Sequence, residues 1–155
     1  MRLQLTAVGQ RMPDWVASGF ATYARRMPPE LQLELREVPS GDRGRGADIR
    51  RAREVEGDRL LAAAPRGALG VALDAGGRAL TTEQLAATLS DWMQQGCDVA
   101  LYIGGADGLC DRVLAASRLR LSLSAMTFPH MLVRVLLAEQ LYRAWSILAR
   151  HPYHR

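Results

Sequence analysis

Val99-Ala-Leu-Tyr-Ile-Gly-Gly-Ala-Asp-Gly108 is the stretch on which the fold turns. Its apolar half is too short for a helix and, bounded by glycines, reads as a strand buried on both faces. Ala68 to Leu73 repeats the pattern and runs into Asp74 and an expected Gly76-Gly77 turn. Upstream, Leu3, Leu5 and Ala7 alternate with polar neighbours and stop at Gly9, and Leu31 to Val38 alternates too. Arg120 to Leu123 makes a brief last strand. Helical spacings fill the gaps: Met12 to Arg26 with Trp15, Val16, Phe20 and Tyr23, then about Asp48 to Ala64. A third helix is capped by Thr81 or Thr82 and buries Leu85, Leu89 and Trp92, a fourth spans Leu109 to Ser117, and the last runs from His130 to Ala149. Strands alternating with helices predict an α/β fold with a mostly parallel sheet covered by helices on both faces. In such sheets ligands bind beyond the carboxyl ends of the strands. Three of those ends carry suitable residues: Leu73-Asp74, Gly104 to Gly108, and Leu123 to Phe128.

Composition bounds the rest. The chain has 155 residues, 48% of them hydrophobic and spread throughout, enough for a core and too many for disorder. No linker or repeat divides it, so residues 1–155 are expected to form one domain. All 20 basic residues are Arg, a pattern that GC-rich codon usage explains as readily as selection for Arg chemistry. A net charge of +4 suits a polyanionic partner without demanding one. Cys97 and Cys110 have no metal-ligand spacing with the histidines and read as reduced packing residues of a cytoplasmic protein; no metal site is expected. No apolar run reaches the length of a membrane span or an export signal, so no membrane partner is expected.

Several segments admit a functional reading beside a plain one. Gly104 to Gly108 is either a tight turn or a place for a ligand to approach the backbone, and it lacks the full dinucleotide fingerprint. Leu121 to Pro129 sets Ser122, Ser124 and Thr127 among Leu123, Met126 and Phe128, which suits an adenine ring or simply a connecting loop. On the last helix Leu132, Val135, Leu136 and Leu141 are placed to bury. Arg134, Glu139, Tyr142 and Arg143 recur at neighbour spacing, as surface pairs or as phosphate contacts. The ending His151-Pro-Tyr-His-Arg155 is either an exposed tail or a set of groups for proton transfer and RNA contact. The glycine and arginine loop Ser40 to Gly46 is read as solvated and mobile in preference to RNA-binding.

Taken together, Leu5-Thr-Ala-Val-Gly9, Met12-Pro-Asp-Trp15, Gly46-Ala-Asp-Ile49, Ile103-Gly-Gly105, Gly108-Leu109, Leu121 to Pro129, Val133-Arg-Val135, Glu139 to Ile147 and His151 to Arg155 resemble the large-subunit ribosomal RNA methyltransferase H family of the SPOUT superfamily. The resemblance runs end to end. It implies a homodimer that uses S-adenosylmethionine to methylate N3 of a pseudouridine in 23S ribosomal RNA, with a C-terminal deep trefoil knot forming the cofactor pocket. Carried over by position, Leu73, Gly104, Leu123, Ser124, Ala125, Met126, Thr127 and Phe128 match the family's cofactor contacts. Leu is the residue expected of a typical member at Met126 and at Phe128. The resemblance and the chemistry of proton removal from N3 point to His154 and Arg155, reaching across the dimer, as catalytic groups, with Tyr153 stacking on a base at roughly 1 to 3 kcal/mol. Arg134 and Arg143 are second choices. With no separate RNA-binding domain, the substrate is expected to be the assembled ribosome or large subunit. Two competing readings are a nucleotide-binding oxidoreductase or hydrolase built on the Gly104 turn, and a non-enzymatic ribosome-associated RNA-binding protein.

Overall fold

A computed structural model describes residues 1–155. Five parallel strands form one sheet in the order β2-β1-β4-β3-β5. They are β1 (Arg2–Val8), β2 (Gln32–Val38), β3 (Leu69–Ala79), β4 (Val99–Ile103) and β5 (Leu119–Ser122). Parallel neighbours need crossovers, and α1 (Asp14–Ala24), α2 (Ile49–Ala63), α3 (Thr82–Gln95) and α4 (Asp111–Ala116) provide them. The chain closes with α5 (His130–Leu148) and a short 3₁₀ turn, Pro152–His154.

The sheet is covered on both faces. Leu3, Leu5, Val71, Val99 and Leu101 pack under Phe20 of α1, Leu85, Leu89 and Trp92 of α3, and Leu137, Ala138 and Leu141 of α5. On the other face Val8, Ala72, Ala100 and Tyr102 meet Leu60 of α2 and Val113 of α4. The polar neighbours in β1 are therefore not solvated: Gln4 and Thr6 are both buried. The Gln4 amide donates to the Thr6 hydroxyl at 2.9 Å and to the Ala63 carbonyl at 3.0 Å, so two buried polar groups satisfy each other and the end of α2.

Of the two candidate caps for α3, Thr81 is the one used. Its hydroxyl accepts from the Gln84 amide while the Gln84 side chain accepts from the Thr81 amide, and Gly96 ends the helix at φ 69°. The expected Gly76-Gly77 turn is instead a bulge within β3, because Leu121 stands opposite both Leu73 and Arg78 and residues 74–77 loop out between them. Glycine is required there, since a Cβ on Gly77 would lie 2.7 Å from the Arg120 carbonyl. The buried face of α5 is also displaced from the expected stripe. Leu137, Ala138, Leu141 and Ala144 are its core, Leu132, Val135 and Leu136 are only half-buried, and Arg134 and Tyr142 turn inward with the core. Cys97 and Cys110 are unpaired thiols. No helix is long and apolar enough to cross a membrane, and no cluster of His, Cys, Asp and Glu is placed to hold a metal ion.

Candidate active site

All five strands end on the same side, and a cleft of about 630 Å³ opens there between β3, β4, β5 and the start of α5. Leu73, Gly104, Leu123, Ser124, Met126, Thr127 and Phe128 line it, joined by Asp74, Gly105, Gly108, Leu121, Ser122, His130 and Val133. Ala125 sits on the same loop but outside the lining. Hydroxyl groups set the shape of that loop, with the Ser122 hydroxyl donating to the Ser124 carbonyl at 3.1 Å and the Ser124 hydroxyl accepting from the Met126 amide at 3.0 Å. Its turn leaves Met126 75% exposed over the opening.

On the β4 side the glycine turn is closed by the Gly108 amide donating to the Gly105 carbonyl at 3.2 Å. A Cβ on Gly104 would lie 2.6 Å from the Gly108 carbonyl carbon, which backbone cannot yield. Gly104→Ala is therefore expected to displace the turn and to weaken binding of S-adenosylhomocysteine about tenfold or more, read by calorimetry, while the chain stays folded. Unchanged affinity would remove this turn from the ligand site.

The charge in the cleft is one-sided. Asp74 is the only carboxylate in the lining and no Arg reaches it. Phosphates, which the oxidoreductase or hydrolase reading requires, would meet an acid and no guanidinium. A cationic ligand with an apolar ring fits better, its ring against Leu73, Leu121, Leu123 and Val133 and its charge near Asp74.

His130, first residue of α5, closes one wall. Burial, reinforced by the charge of Arg134, holds its imidazole below the ordinary range; Arg43 acts the same way and Glu56 opposes. The unfolded chain takes up this proton near pH 6.5 and the folded chain does not, so stability is lost as pH falls below that value. Replacing His130 with Gln is expected to flatten the fall in urea midpoint between about pH 7 and 5. Equal slopes in both proteins would disprove it.

The four expected catalytic residues are not together. Arg134, in the second turn of α5, is fully buried: it donates to Glu37 at 2.6 Å, to the Gly9 carbonyl at 2.9 Å and to the Val8 carbonyl at 3.2 Å. It ties the ends of β1 and β2 to α5 and has no face for a substrate. Tyr153, His154 and Arg155 lie at the other end of α5, whose 19 residues span about 28 Å. There the Tyr153 ring packs 4.6 Å from Tyr142 and under the Arg143 guanidinium at 4.9 Å, while Arg143 is itself paired with Glu139 at 2.6 Å. Burial and a hydrogen bond with Tyr23 push the Tyr153 phenol up to about 12.

One cluster escaped the sequence reading. Glu56 of α2 is buried and accepts from the Gly41 amide at 2.9 Å and from Arg43 at 3.0 Å, and Arg43 also donates to Asp107 at 2.8 Å. These bonds pin the Ser40 to Gly46 loop against the Gly104 turn, so the loop is tethered by its arginine. The signal was present, since Ala52, Glu56 and Leu60 share one helical stripe.

An all-parallel α/β protein with a hydroxyl-rich cleft bearing a single carboxylate at its strand ends is the class that this fold and site define. The chain belongs to the SPOUT methyltransferase family: the model described as "Predicted SPOUT methyltransferase" matches residues 1–154. It is also 54% identical over 155 residues, all of this chain and 99% of the relative, to the "Ribosomal RNA large subunit methyltransferase H" of Thioalkalivibrio sulfidiphilus (strain HL-EbGR7).

Proposed function

We propose that this protein transfers the methyl group of S-adenosylmethionine to N3 of a pseudouridine in 23S ribosomal RNA, acting in the cytoplasm on the assembled ribosome or large subunit. The cleft of hydroxyl groups and apolar walls with Asp74 as its lone charge carries the cofactor assignment, and the name of the 54% identical relative supports the RNA substrate. The whole chain works as one domain. Its C-terminal third, from β4 through α5, threads into the deep trefoil knot, so that the three strand-end loops become the cofactor cradle.

The cofactor supplies an electrophilic methyl on a sulfonium. Leu73, Gly104 and the Leu123 to Phe128 loop would hold and orient it, with Asp74 available to its positive charge and the walls excluding water. Bound there, it would supply a methyl group to N3 with its sulfur as leaving group, and N3 would have to give up its proton. That loss needs a base or a cation beside the ring. The tail sits at the end of α5 opposite the cleft of its own chain, and we therefore assign His154 and Arg155 to the cleft of the second protomer of a homodimer. Tyr153, protonated throughout the physiological range, anchors the tail and offers a ring to the base; it is no proton acceptor.

Mass mapping of modified nucleotides in large-subunit RNA from cells lacking the protein tests this. One pseudouridine should lose one methyl group, and the purified protein should restore it on ribosomes from those cells faster than on naked 23S RNA. An unchanged map would overturn the activity, and equal rates on both substrates would overturn the ribosome as substrate.

A further inference from the structure

A second cleft, of about 760 Å³, lies beside the first and is lined by Gly9, Gln10, Arg11, Pro39, Ser40, His130 and Met131. The two clefts have a single lining residue in common, His130. A donor held in the first and an acceptor held in the second would therefore face each other across one imidazole.

The second cleft has a different chemistry from its neighbour. It presents the Gln10 amide, the Ser40 hydroxyl and the His130 imidazole, with Met131 as its one large apolar side chain. Such a set matches the alternating carbonyl and N–H edge of a uracil-type base, for which an amide, a hydroxyl and a neutral imidazole each supply a donor or an acceptor. Arg11 at its rim is exposed and has no carboxylate partner, unlike Arg2, Arg43, Arg112 and Arg143. A free guanidinium there suits the phosphate of a nucleotide unit.

The floor is built to stay open. Gly9 adopts φ 110°, and a Cβ on it would lie 3.0 Å from the Met131 methyl and 3.9 Å from the His130 Nε2. Behind it Arg134 bonds the Val8 and Gly9 carbonyls, fixing the backbone that forms the cleft wall.

We propose that this second cleft receives the acceptor nucleotide, with His130 touching the base on the side that faces the methyl donor and Arg11 touching its phosphate. This rests on the functional reading above and names the substrate site for it. Ser40 makes no side-chain hydrogen bond and is exposed, so Ser40→Phe fills the cleft without touching the core.

The test uses the full-length protein, ribosomes lacking the modification, and S-adenosylhomocysteine as the cofactor probe. Ser40→Phe should cut kcat/KM on ribosomes about thirtyfold or more while the calorimetric Kd for S-adenosylhomocysteine stays within about twofold. Arg11→Gln should raise KM about fivefold at constant kcat and lower the salt dependence of ribosome binding by about one phosphate contact. His130→Asn, which alters the wall common to both clefts, should lower kcat on ribosomes. Full turnover by Ser40→Phe, or a cofactor Kd that weakens in step with its rate, would overturn the acceptor cleft alone. Absence of transfer by the unaltered protein would overturn the functional reading itself.

Discussion

Deleting His151 to Arg155 is expected to lower methyl transfer to ribosomes by about a thousandfold or more while cofactor affinity stays within several-fold. General acid–base groups contribute roughly 10² to 10⁴ each, and the deletion removes His154 and Arg155 together. The segment is held in place: Tyr153 packs against Tyr142 and Arg143, and the His151 amide donates to the Ser146 carbonyl at 2.8 Å. Within it the buried His154 Nδ1 has no hydrogen-bond partner. On the proposed homodimer reading, this tail acts in the partner's cleft. Co-expressing the tail-deleted chain with Gly104→Ala chains provides the decisive arm. A mixed dimer would unite one intact cleft with one intact tail, and random pairing puts half the dimers in that state with one of two sites working, giving about a quarter of the normal rate. Recovery of nothing would show that the tail acts within its own chain or not at all.

Sequence periodicity read the sheet well and the buried charge poorly, and the two outcomes have one cause. Strands such as Val99–Ile103 are specified by apolar runs, and the site loop by the glycines and hydroxyls that follow them, so both were legible along the chain. Whether a polar residue faces water is decided by partners distant in sequence. Gln4 is satisfied by Ala63, Glu56 by Arg43, and Arg134 by Glu37 and the β1 carbonyls, each an inward polar group that a pattern argument assigns to solvent. The Gly76-Gly77 turn failed in the same way, because its bulge depends on the pairing of β3 with β5. The proposed threading would leave no periodic trace at all. The tail shows its residue types along the chain but not its place: nothing in those residues alone says that α5 carries it to the end opposite its own cleft.

Arg134 separates a substrate contact from a structural tie, and Arg134→Met should act on stability. The side chain is wholly buried and its loss strands the Val8 and Gly9 carbonyls and the Glu37 carboxylate. Breaking a buried charge pair from one side costs about 3 to 5 kcal/mol, well above the 1 kcal/mol or so of a surface pair. Glu37 is partly exposed, with 27% of its side-chain surface open, and rehydrates in part, which favours the lower figure. At this chain length each kcal/mol shifts Tm by roughly 2 to 4 °C, so a fall of about 10 °C is expected in thermal denaturation. Arg134→Lys keeps the charge but not the fork, so it cannot serve Glu37 and both carbonyls together and should recover only part of the loss. Glu37→Gln retains an acceptor for the guanidinium and should cost about 1 kcal/mol. A residue that touched substrate would give the opposite pattern, with Tm intact and kcat reduced for both Arg134 variants. That result would return Arg134 to the chemistry and detach the second cleft from the wall that holds it open.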